Sequence, residues 1–192
     1  MMPKFRAGGK VKNIFLLIAI MFLLNGCAPW IRTGGPYEAT GENVSLDLPD
    51  GWMRLNNDKH LILTRDGVLL QSILVESIHV NDTLKHTKKK FRKGMLPLEA
   101  SEVIVDNIAS NGQVHDLEVK ESKSAKVTGK PGFRVAFSYK TVEGLKMQGV
   151  VYGLMHGELF YLIKYAAPKR HYFDRDLKTF ERVVASAHLI KS

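Results

Sequence analysis

The segment between residues 68 and 80 restricts the fold of this chain more than any other part of its sequence. Its alternate positions place apolar side chains on both faces of a predicted strand. One face carries Val68, Leu70, Leu74, Ile78 and Val80, and the other carries Leu69, Ile73 and Val75. A strand that is apolar on both faces belongs in the interior of a sheet whose two sides are covered. The chain contains a single cysteine, so a disulfide framework within the chain cannot replace that covered core.

Alternating apolar residues bounded by turn signals predict further strands on both sides of this segment. They cover residues 44–48, 52–55 and 60–64, and, after the region around 117–127, residues 133–140, 145–155 and 158–165. Helical spacing appears in residues 96–111 and in the last segment, where the apolar stripe is Phe173, Leu177, Phe180, Val184 and Ala187. The order of these elements predicts an α+β fold, with a largely antiparallel sheet flanked by helices on both faces.

Three local features accompany this order of elements. They are the opening Val44-Ser-Leu-Asp-Leu-Pro-Asp-Gly-Trp52, the turn Thr128-Gly-Lys-Pro-Gly-Phe-Arg134, and the final strand and helix from Leu159 to Ala187. Together they resemble the PsbP-like fold, an α/β/α sandwich named after a photosystem II subunit and shared by a nuclear-transport factor. The resemblance covers roughly residues 43–190. It implies no enzymatic activity, because the family has none in common, and its bacterial members are often lipoproteins.

The N-terminus has the pattern of an export signal. Four basic residues and no acid precede an apolar run of 11 residues from Ile14 to Leu24. As a helix this run would cross about half of a ~30 Å hydrocarbon core, so it is too short to span a membrane. A basic region, a short apolar region and a small-residue site are typical of a cleaved secretory signal peptide.

The residues Leu24-Asn25-Gly26-Cys27 resemble the lipobox of bacterial lipoproteins. This resemblance implies cleavage before Cys27 and a lipid on its sulfur. It gives three parts: a signal peptide over residues 1–26, a lipidated tether over 27–42 and a PsbP-like domain over 43–192. Because Ala28 follows where Asp would favour retention at the inner membrane, we expect a lipid anchor in the outer membrane that faces the periplasm of a Gram-negative cell. The alternative is an ordinary secretory signal with an incidental cysteine.

A run of six basic residues between Leu84 and Lys93 is the strongest surface feature of the mature chain. It consists of Lys85, Lys88, Lys89, Lys90, Arg92 and Lys93, with no acid among them. Such a run attracts anionic surfaces, so the possible partners are anionic lipid, peptidoglycan or an acidic envelope protein. Phe91 within the run could insert at an interface. The alternative is a mobile, solvated loop. Nucleic acid is disfavoured as a partner, because the chain is predicted to be exported and four of its basic residues lie in the signal.

The sequence predicts no catalytic residue, no metal site and no cofactor. The common hydrolase, metal-binding and nucleotide-binding motifs do not occur in the mature chain, and its histidines form no i,i+4 pair. Asp174 and Asp176 could bind a cation, but their place at the start of a helix is also favoured by the helix dipole. The aromatic residues Tyr161, Tyr165, Tyr172 and Phe173 could line a ligand cleft or belong to the core.

These observations leave three hypotheses for function. The first is a membrane-anchored, non-catalytic interaction or accessory module of the envelope. The second is a ligand-binding lipoprotein that holds a small or lipidic molecule between sheet and helix. The third is an envelope hydrolase. A closed core would favour the first, a deep cleft with a few convergent polar groups the second, and a polar cleft with coupled titratable groups the third.

Cys27→Ser should abolish lipidation, because the serine hydroxyl does not replace the thiol as the acceptor of the lipid. The variant should remain uncleaved or leave the lipid-anchored fraction, as measured by intact mass and by detergent phase partitioning. Recovery of cleaved and acylated Cys27→Ser protein would refute the lipobox assignment.

Overall fold

The structure is a computed structural model that describes residues 29–57 and 59–190. The predicted signal peptide and the lipidation site Cys27 lie outside the described residues. The described part contains strands β1 (Trp30–Arg32), β2 (Gly35–Ala39), β3 (Val44–Leu48), β4 (Met53–Leu55), β5 (Leu61–Thr64) and β6 (Ser72–His79). Helix α1 (Pro97–Ala109) is followed by β7 (His115–Val127), β8 (Lys130–Lys140), β9 (Lys146–His156) and β10 (Leu159–Pro168), and then by α2 (Asp174–Ser186) and β11 (His188–Leu189).

The strands form two antiparallel sheets. Eight of them make the main sheet in the order β1-β4-β5-β6-β10-β9-β8-β7, and the other three make a small sheet in the order β11-β3-β2. Strand β6 lies between β5 and β10, which confirms the interior position predicted for this segment. It begins at Ser72 and not at Val68, because the turn at Gly67 continues through Leu70, whose amide donates a hydrogen bond to the Gly67 carbonyl at 2.9 Å.

The main sheet separates two hydrophobic cores, as the alternation along β10 shows. Phe160 and Leu162 pack on one face with Ala100 and Ile104 of α1. Tyr161, Ile163 and Tyr165 pack on the other face with α2 and the small sheet. We call these the α1 face and the α2 face. Each face therefore has one helix, as predicted, but the helices supply only part of the cover. The segment between β6 and α1 completes one side, and the small sheet completes the other.

The predicted stripe of the last helix is buried against the sheet. Phe180 is fully buried and its ring lies 5.4 Å from that of Tyr165 and 6.0 Å from that of Tyr152. Tyr165 and Phe173 stack in the same core, and the Tyr165 hydroxyl donates to the Tyr172 carbonyl at 3.1 Å. These aromatic residues are therefore part of the α2-face core, with Tyr172 half-buried at its edge.

The prediction that residues 27–42 form a tether is wrong for residues 30–42. Strand β1 pairs with β4, and β2 pairs with β3. Ala39 is buried in the α2-face core. The buried carboxylate of Glu42 accepts a hydrogen bond from the Ser77 amide and lies 3.1 Å from Nδ1 of His60. The folded part therefore extends upstream of residue 43, at least to Trp30.

A chain that begins at Asn43 should be less stable than one that begins at Pro29 by about 3 kcal/mol or more. The shorter chain loses the burial of Ala39 and the two strand pairings β1–β4 and β2–β3, each of whose backbone hydrogen bonds contributes about 0.5–1.5 kcal/mol. Urea unfolding of the two chains, with the longer one as the control, measures the difference. Equal unfolding midpoints would mean that residues 29–42 are not part of the stable fold.

Candidate functional site

A cleft of about 680 Å³ opens on the α1 face between the main sheet and the segment that joins β6 to α1. Alternate residues of the strands point into it, because alternate side chains of a strand lie on the same face. The apolar part of its lining consists of Ile62, Leu74, Ile78, Phe137 and Ala166 from the strands, with Leu84, Ile108 and Val114 from the opposite side. The cleft is therefore an uncovered part of a face that is otherwise packed.

Two charged side chains reach the cleft from its strand floor. Glu76 lies on β6 and Lys164 on β10, where Lys164 is paired with Leu74 and Glu76 with Leu162. The two are diagonal neighbours on adjacent strands, a spacing that long side chains can bridge. Within the described part of the chain, no ion pair within 4.0 Å joins them or links either to another residue.

The surroundings of both groups disfavour their charged forms. Burial raises the pKa of the Glu76 carboxyl above its ordinary value, and the charge of Glu42 adds to this effect, while His60 and Lys164 oppose it. Burial also lowers the pKa of the Lys164 ammonium, and Glu76 opposes that shift. Charged groups held without a close partner in a cleft are a frequent feature of functional sites. An anionic group of a ligand would supply the partner that Lys164 lacks.

Several polar groups surround the entrance of the cleft. They are His60, Asp82, Thr83, Lys85, His86, Asn107 and Asn111. The Asn107 side chain accepts a hydrogen bond from the His86 amide at 2.9 Å and so connects α1 to the opposite wall. Apolar walls with a few convergent polar groups suit a small amphiphilic ligand.

The predicted basic run forms one wall of this cleft, and we call residues 84–93 the basic segment. All six of its cations are exposed, as predicted. Lys89 pairs with Asp106, and Nζ of Lys93 lies 3.8 Å from Glu158 Oε1. In the described residues Lys85, Lys88, Lys90 and Arg92 have no acidic partner within 4.0 Å.

The prediction that Phe91 inserts at an interface is wrong. Phe91 is buried in the α1-face core and stacks on Phe160 with 4.0 Å between ring centroids. Leu84 is buried in the same core, and its amide donates to the Lys89 carbonyl at 3.0 Å. The basic segment is therefore attached to the sheet at both ends and presents its cations from a defined surface.

Asp176 has a role that the sequence does not reveal. Its buried carboxylate accepts hydrogen bonds from Gln71 Nε2 at 2.6 Å, Arg65 at 3.0 Å and Arg175 Nε at 2.8 Å. These bonds tie the start of α2 to the turn after β5, and they occupy the oxygens that a bound cation would need. The neighbouring Asp174 is exposed.

Within residues 29–57 and 59–190, no group of three or more His, Cys, Asp or Glu side chains is arranged to hold a metal ion. None of the helices in these residues has the length and apolar character needed to cross a bilayer.

No sequence-family model and no curated protein matches the chain. Solved structures do match. Cyanobacterial PsbP (CyanoP) from Synechocystis sp. PCC 6803 aligns with a TM-score of 0.57 and 13% identity over 87% of this chain and 99% of that one. The Ran-binding protein Mog1p of Saccharomyces cerevisiae gives 0.55 and 12% over 84% and 97%. LpqN, involved in cell envelope biogenesis of Mycobacterium tuberculosis, gives 0.52 and 10% over 87% and 94%. These likenesses confirm the predicted PsbP-like fold.

Glu76→Gln should stabilise the protein at pH 7. A carboxyl whose pKa is higher in the folded state than in the unfolded state contributes stability below the unfolded pKa, and that contribution is lost as pH rises through the folded pKa. The amide stays neutral, so the gain should be present at pH 7, should shrink as pH falls through the raised folded-state pKa, and should be absent below about 4.5, the ordinary value for this group. Urea unfolding at pH 7 and pH 4 measures it, with exposed Glu102→Gln as the control. A variant that is less stable than wild type at pH 7 would contradict the assigned burial.

Proposed function

We propose that this protein is a non-catalytic lipoprotein of the cell envelope that holds a small amphiphilic ligand in the cleft on its α1 face. Between a pure interaction module and a ligand-binding lipoprotein, the cleft favours the second. Its volume of about 680 Å³ lies within the range of about 300–1,000 Å³ that is usual for sites of small molecules.

The observation that carries the proposal is the combination of apolar walls with the charges of Lys164 and Glu76. An apolar chain of the ligand would pack on Leu74, Ile78 and Phe137, and an anionic group would accept a hydrogen bond from the Lys164 ammonium. Lys164 is half-buried, and that contact would offset the cost of holding its ammonium in a partly desolvated position, since such a charge is stabilised by a close partner. Glu76 would then favour ligands that also carry a hydrogen-bond donor.

We assign no catalytic role to the charged groups of the cleft. The imidazole of His60, whose charge lowers the pKa of Glu76, lies 3.1 Å from Glu42 Oε1. The ammonium of Lys164 is positioned to bind an anionic group. A binding role fits these groups without a reacting centre. The cofactor-free, metal-free function expected from the sequence is part of this proposal.

The envelope setting rests on two independent supports. The first is the lipobox-like sequence that ends at Cys27, which would attach the mature chain to a membrane by its first residue. The second is the fold shared with LpqN, a protein involved in cell envelope biogenesis. We propose the periplasmic face of an outer membrane as the location, because Ala28 follows the cysteine.

The basic segment supports a second activity of the same molecule, the docking of an anionic partner. Lys85, Lys88, Lys90 and Arg92 are exposed and lack acidic partners in the described residues, and the backbone that bears them is attached to the core. Peptidoglycan carboxylates, anionic lipid headgroups and an acidic envelope protein all have the required charge. Lys85 also lines the cleft, so such a partner would lie beside its entrance.

Lys164→Gln should weaken the binding of a fluorescent fatty acid, cis-parinaric acid, by at least about tenfold. A hydrogen bond to a charged group contributes roughly 1.5–3 kcal/mol, and each 1.4 kcal/mol is a factor of ten in affinity. Fluorescence titration of the purified protein measures the dissociation constant, and native mass spectrometry identifies molecules that copurify with it. Lys146→Gln, an exposed lysine outside the cleft, is the matched control. Equal affinity of the two variants, or no binding by wild type, would count against the cleft as a site for anionic amphiphiles.

A further inference from the structure

Two exposed apolar side chains and a half-buried tryptophan are grouped where the described chain begins. Half-buried Trp30 lies beside the turn after β5, and together they line an apolar depression. In that turn the side chain of Val68 is 44% exposed and that of Leu69 is 89% exposed. We call Trp30, Val68 and Leu69 the anchor-proximal patch. Isolated exposed apolar residues are common on proteins, but a group of them at one place is typical of an interaction surface.

The turn that carries Val68 and Leu69 is held firmly in this exposed position. The amides of Leu70 and Gln71 donate to the Gly67 carbonyl at 2.9 and 3.0 Å. The buried Gln71 side chain accepts from the Asp66 amide at 3.2 Å and donates to Asp176. These hydrogen bonds attach the turn to the core. The backbone of the turn therefore holds Leu69 in its exposed position.

The position of the patch in the chain indicates what covers it. Cys27 precedes Trp30 by three residues, so the two Cα atoms are at most about 11 Å apart at ~3.6 Å per residue. Tryptophan is favoured at the boundary between lipid headgroups and hydrocarbon. Arg32 is exposed and lies on the same face of β1 as Trp30, where it could contact lipid phosphates.

We infer that the anchor-proximal patch inserts into the surface of the bilayer that carries the lipid of Cys27. This inference rests on the anchoring in the proposed function and adds an orientation to it. Leu69 enters the bilayer surface and Trp30 lies at the headgroup level. Because β1 pairs with β4 in the main sheet, a membrane contact at Trp30 holds the whole domain against the membrane. Trp30, Ile62 and Leu74 occupy the same face by the pairing of their strands, so the cleft opens on the face that bears the patch.

Tryptophan fluorescence in vesicles with brominated lipid tests this inference. The chain has two tryptophans, and Trp52 is 1% exposed, so bromine in the acyl chains should quench Trp30 selectively. The full-length protein is isolated from membranes, the acylation of Cys27 is verified by mass, and the protein is reconstituted into phosphatidylcholine vesicles with or without brominated chains. We expect strong quenching for wild type and little quenching for Trp30→Phe.

Two matched substitutions distinguish an effect of the patch on Trp30 quenching from the effect of replacing any exposed leucine. Leu69→Glu should reduce the quenching of Trp30 at least twofold, while Leu145→Glu, at an exposed leucine in the β8–β9 turn, should leave it unchanged. Circular dichroism verifies that both variants are folded. An acylated wild type without quenching, equal effects of both variants, or a patch covered by a second copy in cross-linking would overturn the inference alone. An unacylated Cys27 would instead overturn the anchoring in the proposed function and this inference with it.

Discussion

The pairing of β6 with β10 is the constraint on which the rest of the structure depends. Eight residues of β6 pair with eight of β10, from Ser72–Ala166 to His79–Leu159. Along β10, Phe160 and Leu162 lie on the α1 face, whereas Tyr161 and Ile163 lie on the α2 face. Neither side of this pair can face water, because each would expose large apolar side chains. Both faces therefore need a cover, and the strands outside the pair position the elements that supply it.

The two covers differ in completeness, and this difference produces the candidate site. On the α2 face the buried charge of Asp176 is fully engaged by Gln71 and arginine side chains, so it ties a helix to a turn. On the α1 face Lys164 and Glu76 interrupt the apolar alternation where α1 does not cover the sheet. They have no close partner in the described residues, and their charged forms are disfavoured. Asp176 and its partners thus stabilise the fold. Lys164 and Glu76 are held in the cleft at a cost in free energy that binding of the proposed ligand would offset.

The parts of the fold that the sequence predicts are those with a long periodic signal. The alternation of β6, the meander from β8 to β10 and the stripe around Phe180 are each determined by many residues. Strands β1 and β2 were not predicted because both are short, because β2 contains Gly and Pro, and because β1 forms only by pairing with β4, more than 20 residues along the chain. Phe91 was misread because one aromatic residue among cations suits an interface and a loop attachment equally.

The candidate site was less predictable than the fold, although it left a trace in the sequence. Lys164 continues the alternation of Phe160 and Leu162, and Glu76 that of Leu74, so each is a charged residue at a position where the strand pattern predicts burial. The pattern shows that a charged residue stands where a core residue is expected. It does not show that Lys164 and Glu76 lie on adjacent strands and face the same cleft. The contacts of Asp176 with Gln71 and Arg65 were beyond prediction for the same reason, since they join residues far apart in sequence.

Because residues 30–42 fold into the domain, the anchor-proximal patch and the basic segment differ in their distance from the membrane anchor. A long tether would have allowed either surface to reach the membrane. The anchor-proximal patch adjoins the start of β6, and the basic segment follows its end. Eight residues at ~3.3 Å each place these ends about 25 Å apart. The apolar contact inferred for the patch and the charged contact proposed for the basic segment therefore use opposite ends of β6. Because both lie on the side of the sheet where the cleft opens, a membrane at the patch and an anionic partner at the basic segment would each lie beside the cleft.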